Sequence, residues 1–99
     1  MINFRREALI APGKTASAMA FAHEIAAYMK DAYGSVIEVC VPIGGNPQRI
    51  AWSVQYKDLA AYDATAAKLL TDKRYWEIVG KGADNFLPAG FEDSLWRGV

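Results

Sequence analysis

Two extended runs flank Gly44-Gly45-Asn46-Pro47, and that arrangement constrains this chain more than any other feature. Before the turn, Ser35 to Ile43 carries Val36, Ile37, Val39, Val41 and Ile43, mostly β-branched residues that pack well on a pleated surface. After it, Gln48 to Tyr56 alternates, so that Ile50, Trp52, Val54 and Tyr56 point one way and Ala51, Ser53 and Gln55 the other. Four turn-forming residues between two such runs predict a β-hairpin. The segments on either side then settle the topology. Ile2 to Ile10 is extended in character and is closed by Ala11-Pro12-Gly13. A helix follows from Lys14 or Thr15 to Tyr33 and stops at Gly34, a residue that can take the left-handed conformation. Its apolar stripe is Met19, Ala22, Ala26, Met29 and Tyr33, widened by Phe21, Ile25 and Tyr28. Beyond the hairpin, Asp58 is a fit N-cap for a second helix with Leu59, Tyr62, Ala66 and Leu69 on one stripe. Thr71-Asp72 breaks or re-caps it, a short helical segment runs from Lys73 to Val79 and ends at Gly80, Gly82 to Gly90 reads as loop, and Phe91 to Arg97 as the last strand. The order is βαββαβ. It predicts an α+β, ferredoxin-like fold: a four-stranded antiparallel sheet, strands one and three central, with helices on one face.

Such a sheet leaves its other face open. A chain of 99 residues hides only about 60–65% of its unfolded surface, yet 53% of its residues are hydrophobic. A second copy of the same sheet is the economical cover, so a homodimer through the open face is expected, with residues 1–99 forming one domain. Eleven basic residues balance eleven acidic ones, leaving none of the basic footprint that nucleic acid or an anionic membrane surface requires. One cysteine and one histidine give no internal disulfide and no His-rich metal site. No membrane span is expected, and Arg5, Arg6 and Glu7 stand where a signal peptide would need its apolar region, so a cytoplasmic location is expected. Gly80-Lys81-Gly82-Ala83-Asp84-Asn85 follows a helix and lacks a Gly-Lys-Ser/Thr ending, so it is not read as a phosphate cradle.

With this order of elements, Arg49-Ile50-Ala51-Trp52 leading into Tyr56-Lys57-Asp58-Leu59-Ala60-Ala61-Tyr62, and then Leu70-Thr71-Asp72-Lys73-Arg74-Tyr75-Trp76, the chain resembles the dimeric α+β barrel superfamily, and within it NIPSNAP-type domains. The resemblance spans nearly the whole chain and rests on strand and helix junctions. It implies a homodimer with facing sheets and a small apolar pocket in each subunit between sheet and helices. The superfamily includes cofactor-free monooxygenases, haem-degrading enzymes and muconolactone isomerases. Its haem-degrading members carry a ligating histidine on the second helical region, and Tyr62 to Val79 contains none. No cofactor and no metal is therefore expected.

Six residues are candidates for the site. His23, at the border of the first helix's apolar stripe, is either a general acid or base facing the pocket or a boundary histidine bonded to solvent or backbone. Arg5 and Arg6 are neighbours on a strand and must point to opposite faces; Arg6 is the pocket residue if Ile2 and Phe4 face the helices. It is either a clamp for an anionic or carbonyl-bearing ligand or half of an ion pair with one of the strand carboxylates Glu7, Glu38, Glu92 and Asp93. Trp52, Tyr56, Tyr75 and Trp76 either hold a planar organic ligand or fill the core, Trp52 being the most core-like. Cys40 reads as an inert buried thiol. Two functions follow: a homodimeric small-molecule-binding domain acting as a cofactor-independent oxygenase or isomerase on a small organic substrate, with Arg6 and His23 catalytic, or a non-catalytic homodimeric ligand- or protein-interaction domain.

Overall fold

A computed structural model describes residues 1–99. The elements are β1 (Ile2–Leu9), α1 (Thr15–Tyr33), β2 (Ile37–Cys40), β3 (Arg49–Tyr56), α2 (Leu59–Leu69), α3 (Lys73–Gly82), a single 3-10 turn (Ala83–Asn85) and β4 (Glu92–Arg97). The four strands form one antiparallel sheet in the order β2-β3-β1-β4, so β1 and β3 are central as the ferredoxin-like reading requires. The helices all lie on one face.

Strand alternation decides which residues meet them. Ile2, Ala8, Ile50, Trp52 and Val54 are at most 7% exposed. Their strand neighbours Asn3, Arg5, Glu7, Ser53 and Gln55 lie on the opposite face. Helix α1 crosses the sheet closely because Ala18 and Ala22 are both fully buried and have no bulk to hold it off. The Trp52 indole N–H donates to the Ala22 carbonyl at 3.3 Å and ties the helix to β3. Gly34 ends α1 at φ +67°, its N–H bonded to the Lys30 carbonyl at 2.9 Å. Asp58 caps α2 by accepting from the Ala61 N–H at 2.8 Å, and Asp72 caps α3 by accepting from the Tyr75 N–H at 3.0 Å.

Two boundaries and the burial of one helix differ from the sequence reading. The strand expected over Ser35 to Ile43 is confined to Ile37–Cys40, because Pro42 has no N–H to give the ladder and Gly45, at φ +79°, turns the chain away. Helix α3 does not stop at Gly80, which has no positive φ, but continues to Gly82, where the bare Cα sits against Phe21; a Cβ there would collide with the ring. Leu59 is 45% exposed, and α2 buries no residue at all. Its stripe faces a cavity, not a closed core.

Candidate functional site

The space between the helix face of the sheet and the three helices is a cavity of about 500 Å³, lined by 22 residues of which 18 are hydrophobic. That volume lies within the roughly 300–1,000 Å³ of organic-ligand pockets. Aromatic rings form two banks. Phe21, Trp52 and Phe86 meet edge to face at centroid distances of 5.6 to 6.3 Å, with Phe91 5.5 Å beyond Phe86. At the opposite bank Tyr62 lies 5.8 Å from Phe4 and 5.5 Å from Tyr56. Tyr75 and Trp76, 5.1 Å apart, come from α3, and the Trp76 indole N–H donates to the Leu69 carbonyl at 2.8 Å, where α2 ends.

Arg6 and Asp93 are the charged residues of the lining. They face each other in register across β1 and β4. Arg6 Nε donates to Asp93 Oδ1 at 2.7 Å and Nη2 donates to Oδ2 at 2.8 Å, a bidentate pair. The guanidinium carbon also stands 5.7 Å from the Phe4 ring centroid. The hydrogen bond to Asp93 raises the Arg6 pKa above its ordinary value, against the opposing effect of burial.

Strand phase thus places Arg6 in the cavity wall, and all four aromatic candidates, Trp52, Tyr56, Tyr75 and Trp76, line the same cavity. Trp52 and Tyr75, at 7% and 8% exposure, also belong to the hydrophobic core, whereas Trp76 is 51% exposed. His23 is not among them. It is exposed on α1 and lines no part of the cavity, because the helix turns Ala22 and Ile25 toward the sheet instead. Arg5 is on the open sheet face, 3.7 Å from Glu7, which also accepts from Arg49 at 3.0 Å. Cys40 lies on that face too, partly buried, its thiol pushed up by burial and by Glu38 beside it.

The remaining lining residues differ in how much sequence signal they carried. Phe4 and Tyr62 shared a phase with Arg6 and with the second helix's stripe and were legible on that ground. Phe86 fell in a stretch that reads as loop; it is held by an isolated bridge to Ile10 and is only 5% exposed. Asp93 was one of four possible partners for an arginine, and only the β1–β4 register singles it out.

A carboxylate outside the cavity fixes its helical wall. Asp72 accepts hydrogen bonds from the hydroxyls of Tyr28 (2.6 Å) and Tyr33, both on α1, while capping α3. These bonds hold its carboxyl below the ordinary range and push Tyr33 up to about 12. No group of three or more His, Cys, Asp or Glu side chains comes together to hold a metal ion, and no helix is long and apolar enough to cross a membrane.

No family model matches the sequence, and a search of curated proteins finds no match. Solved structures do match. An uncharacterised NIPSNAP domain protein from Burkholderia xenovorans superimposes with a TM-score of 0.83 at 13% identity, over 100% of this chain and 95% of that one. A NIPSNAP family protein from Agrobacterium tumefaciens gives 0.82 at 18% identity, over 99% and 92%. An antibiotic biosynthesis monooxygenase gives 0.74 at 13% identity, over 100% and 99%. At these identities the likeness is one of fold, and it is the fold that the strand and helix junctions of the sequence resemble.

Proposed function

We propose that this chain is a binding domain for a small organic molecule held in the cavity between sheet and helices. The observation that carries the reading is the lining itself: about 500 Å³ behind a mostly hydrophobic wall, nine of whose 22 residues are aromatic, with a single cross-strand ion pair. Aromatic walls gain from excluding water and from edge and face contacts with a planar ligand, while a few placed polar groups orient it. Binding is favoured over chemistry because both arginines of β1 are already paired with carboxylates and the histidine is elsewhere. The fluorescent hydrocarbon-like amine N-phenylnaphthylamine tests the reading. It should bind saturably, one molecule per chain, and Ala66→Phe, which fills the cavity from α2, should weaken it about tenfold by overpacking the site. Absence of saturable binding would contradict the proposal.

A second reading makes the same cavity the site of a cofactor-independent oxygenase or isomerase, supported by the fold likeness to an antibiotic biosynthesis monooxygenase and by Arg6 in the wall. It requires ligand-dependent oxygen uptake, or isomerisation of the ligand, that falls in Arg6→Gln. In both readings the partner is a second copy seated on the open sheet face, where Trp96 is 67% exposed.

A further inference from the structure

We propose that Asp93 sets the charge preference of the cavity, so that its ligand is an uncharged aromatic molecule and anionic ligands are refused. The inference rests on the cavity being a binding site and goes on to name the ligand class. An arginine in an aromatic pocket ordinarily reads as an anion clamp. Here the clamp is already occupied. Asp93 takes the Nε and Nη2 edge of Arg6 with both of its oxygens, at 2.7 and 2.8 Å, and Phe4 lies 5.7 Å from the guanidinium. The remaining lining contributes no charge, so the cavity is neutral as a whole. A carboxylate or sulfonate entering it would have to leave its hydration shell, and would meet a compensated guanidinium with a fixed carboxylate beside it. An uncharged aromatic meets neither penalty. It can use the rings, while the Nη1 edge of Arg6, which Asp93 does not occupy, can donate to a neutral oxygen.

The pair is accessible to substitution. The Arg6 and Asp93 side chains are 39% and 46% exposed, so either can lose its partner without becoming a bare charge sealed in the core. The register explains why the sequence hides this device: the two residues are 87 apart in the chain and meet only because β4 pairs with β1.

Two probes with the same aromatic frame isolate the charge. N-phenylnaphthylamine is neutral, and anilinonaphthalene sulfonate adds one sulfonate. The readout is the ratio of their affinities, measured by fluorescence titration on the full chain with melting curves as the folding control. Wild type should prefer the neutral probe, and Asp93→Asn should shift the ratio toward the sulfonate about tenfold, the order expected for one charge near a half-exposed partner. Arg6→Gln should shift it the other way, and Asp93→Ser serves if Asp93→Asn does not fold. If the neutral probe binds wild type but the ratio moves in neither direction in these variants, the charge assignment is overturned while the binding site stands. If wild type binds neither probe, the cavity reading itself fails, and the assignment with it.

Discussion

Arg5 and Arg6 are chain neighbours with the same side chain, and one peptide bond separates an open sheet face from the wall of an aromatic cavity. The period of two along a strand accounts for that difference, which is why it was legible in the sequence. His23 illustrates the opposite case. A single imidazole at the edge of a helical stripe could fall on either side of it, and a rotation of one residue decides; here Ala22 is fully buried and His23 is exposed. His23→Ala should therefore leave N-phenylnaphthylamine affinity unchanged and alter stability by no more than about 0.5 kcal/mol, as surface substitutions usually do. A loss of probe binding in that variant would show that imidazole to be part of the site. The identity of the Arg6 partner was not legible, because four strand carboxylates were chemically equivalent and the choice depends on how the chain after Gly82 returns to the sheet.

Helix α3 packs on α1 without a spacer, and the contact that allows this is the glycine at its end. A Cβ on Gly82 would collide with Phe21 Cδ1, and that ring is itself set against Trp52 and Phe86. Gly82→Ala should cost about 1–3 kcal/mol through overpacking and should weaken probe binding, since Phe21 can yield only toward the cavity it lines. A denaturation curve and a titration read both effects. The sequence marked Gly80 as a helix stop because composition shows that a glycine is present and not what presses on the backbone two residues later. The Asp72 bonds to Tyr28 and Tyr33 join the same two helices and tie their stability to pH at both ends of the scale. The depressed Asp72 pKa means that its contribution is complete above the ordinary 3.8 and is lost as pH falls through the lower folded value. Tyr33, raised from 10.0 to about 12, keeps its contribution up to about pH 10 and loses it as pH climbs toward 12. Asp72→Asn should lower the melting temperature near neutrality and flatten both flanks of the stability profile; unchanged flanks would assign the pH response to other groups.

At the scale of the molecule, only 15 of 99 residues are buried in a chain that is 53% hydrophobic. The cavity and the open sheet face account for much of the surplus. On that face the register row of exposed Trp96 continues through Asn3 and Gln55, an apolar edge beside polar residues that suits a partner more than bulk water. Light scattering at micromolar concentration should give twice the 10.9 kDa chain mass, and Trp96→Lys should restore the single mass. A wild-type monomer would refute the dimer and leave the cavity untouched. The topology behind both was legible because it follows from element order, whereas cavity and interface depend on which side chains fail to fill space, and no local pattern encodes that. The three tryptophans offer the most direct test of the site, since Trp52 and Trp76 line the cavity and Trp96 lies on the open face. Their indole N–H signals should be followed by NMR as N-phenylnaphthylamine is added. Shifts at Trp52 and Trp76 with Trp96 unmoved are predicted; a shift confined to Trp96, or none at all, would contradict a ligand site between sheet and helices.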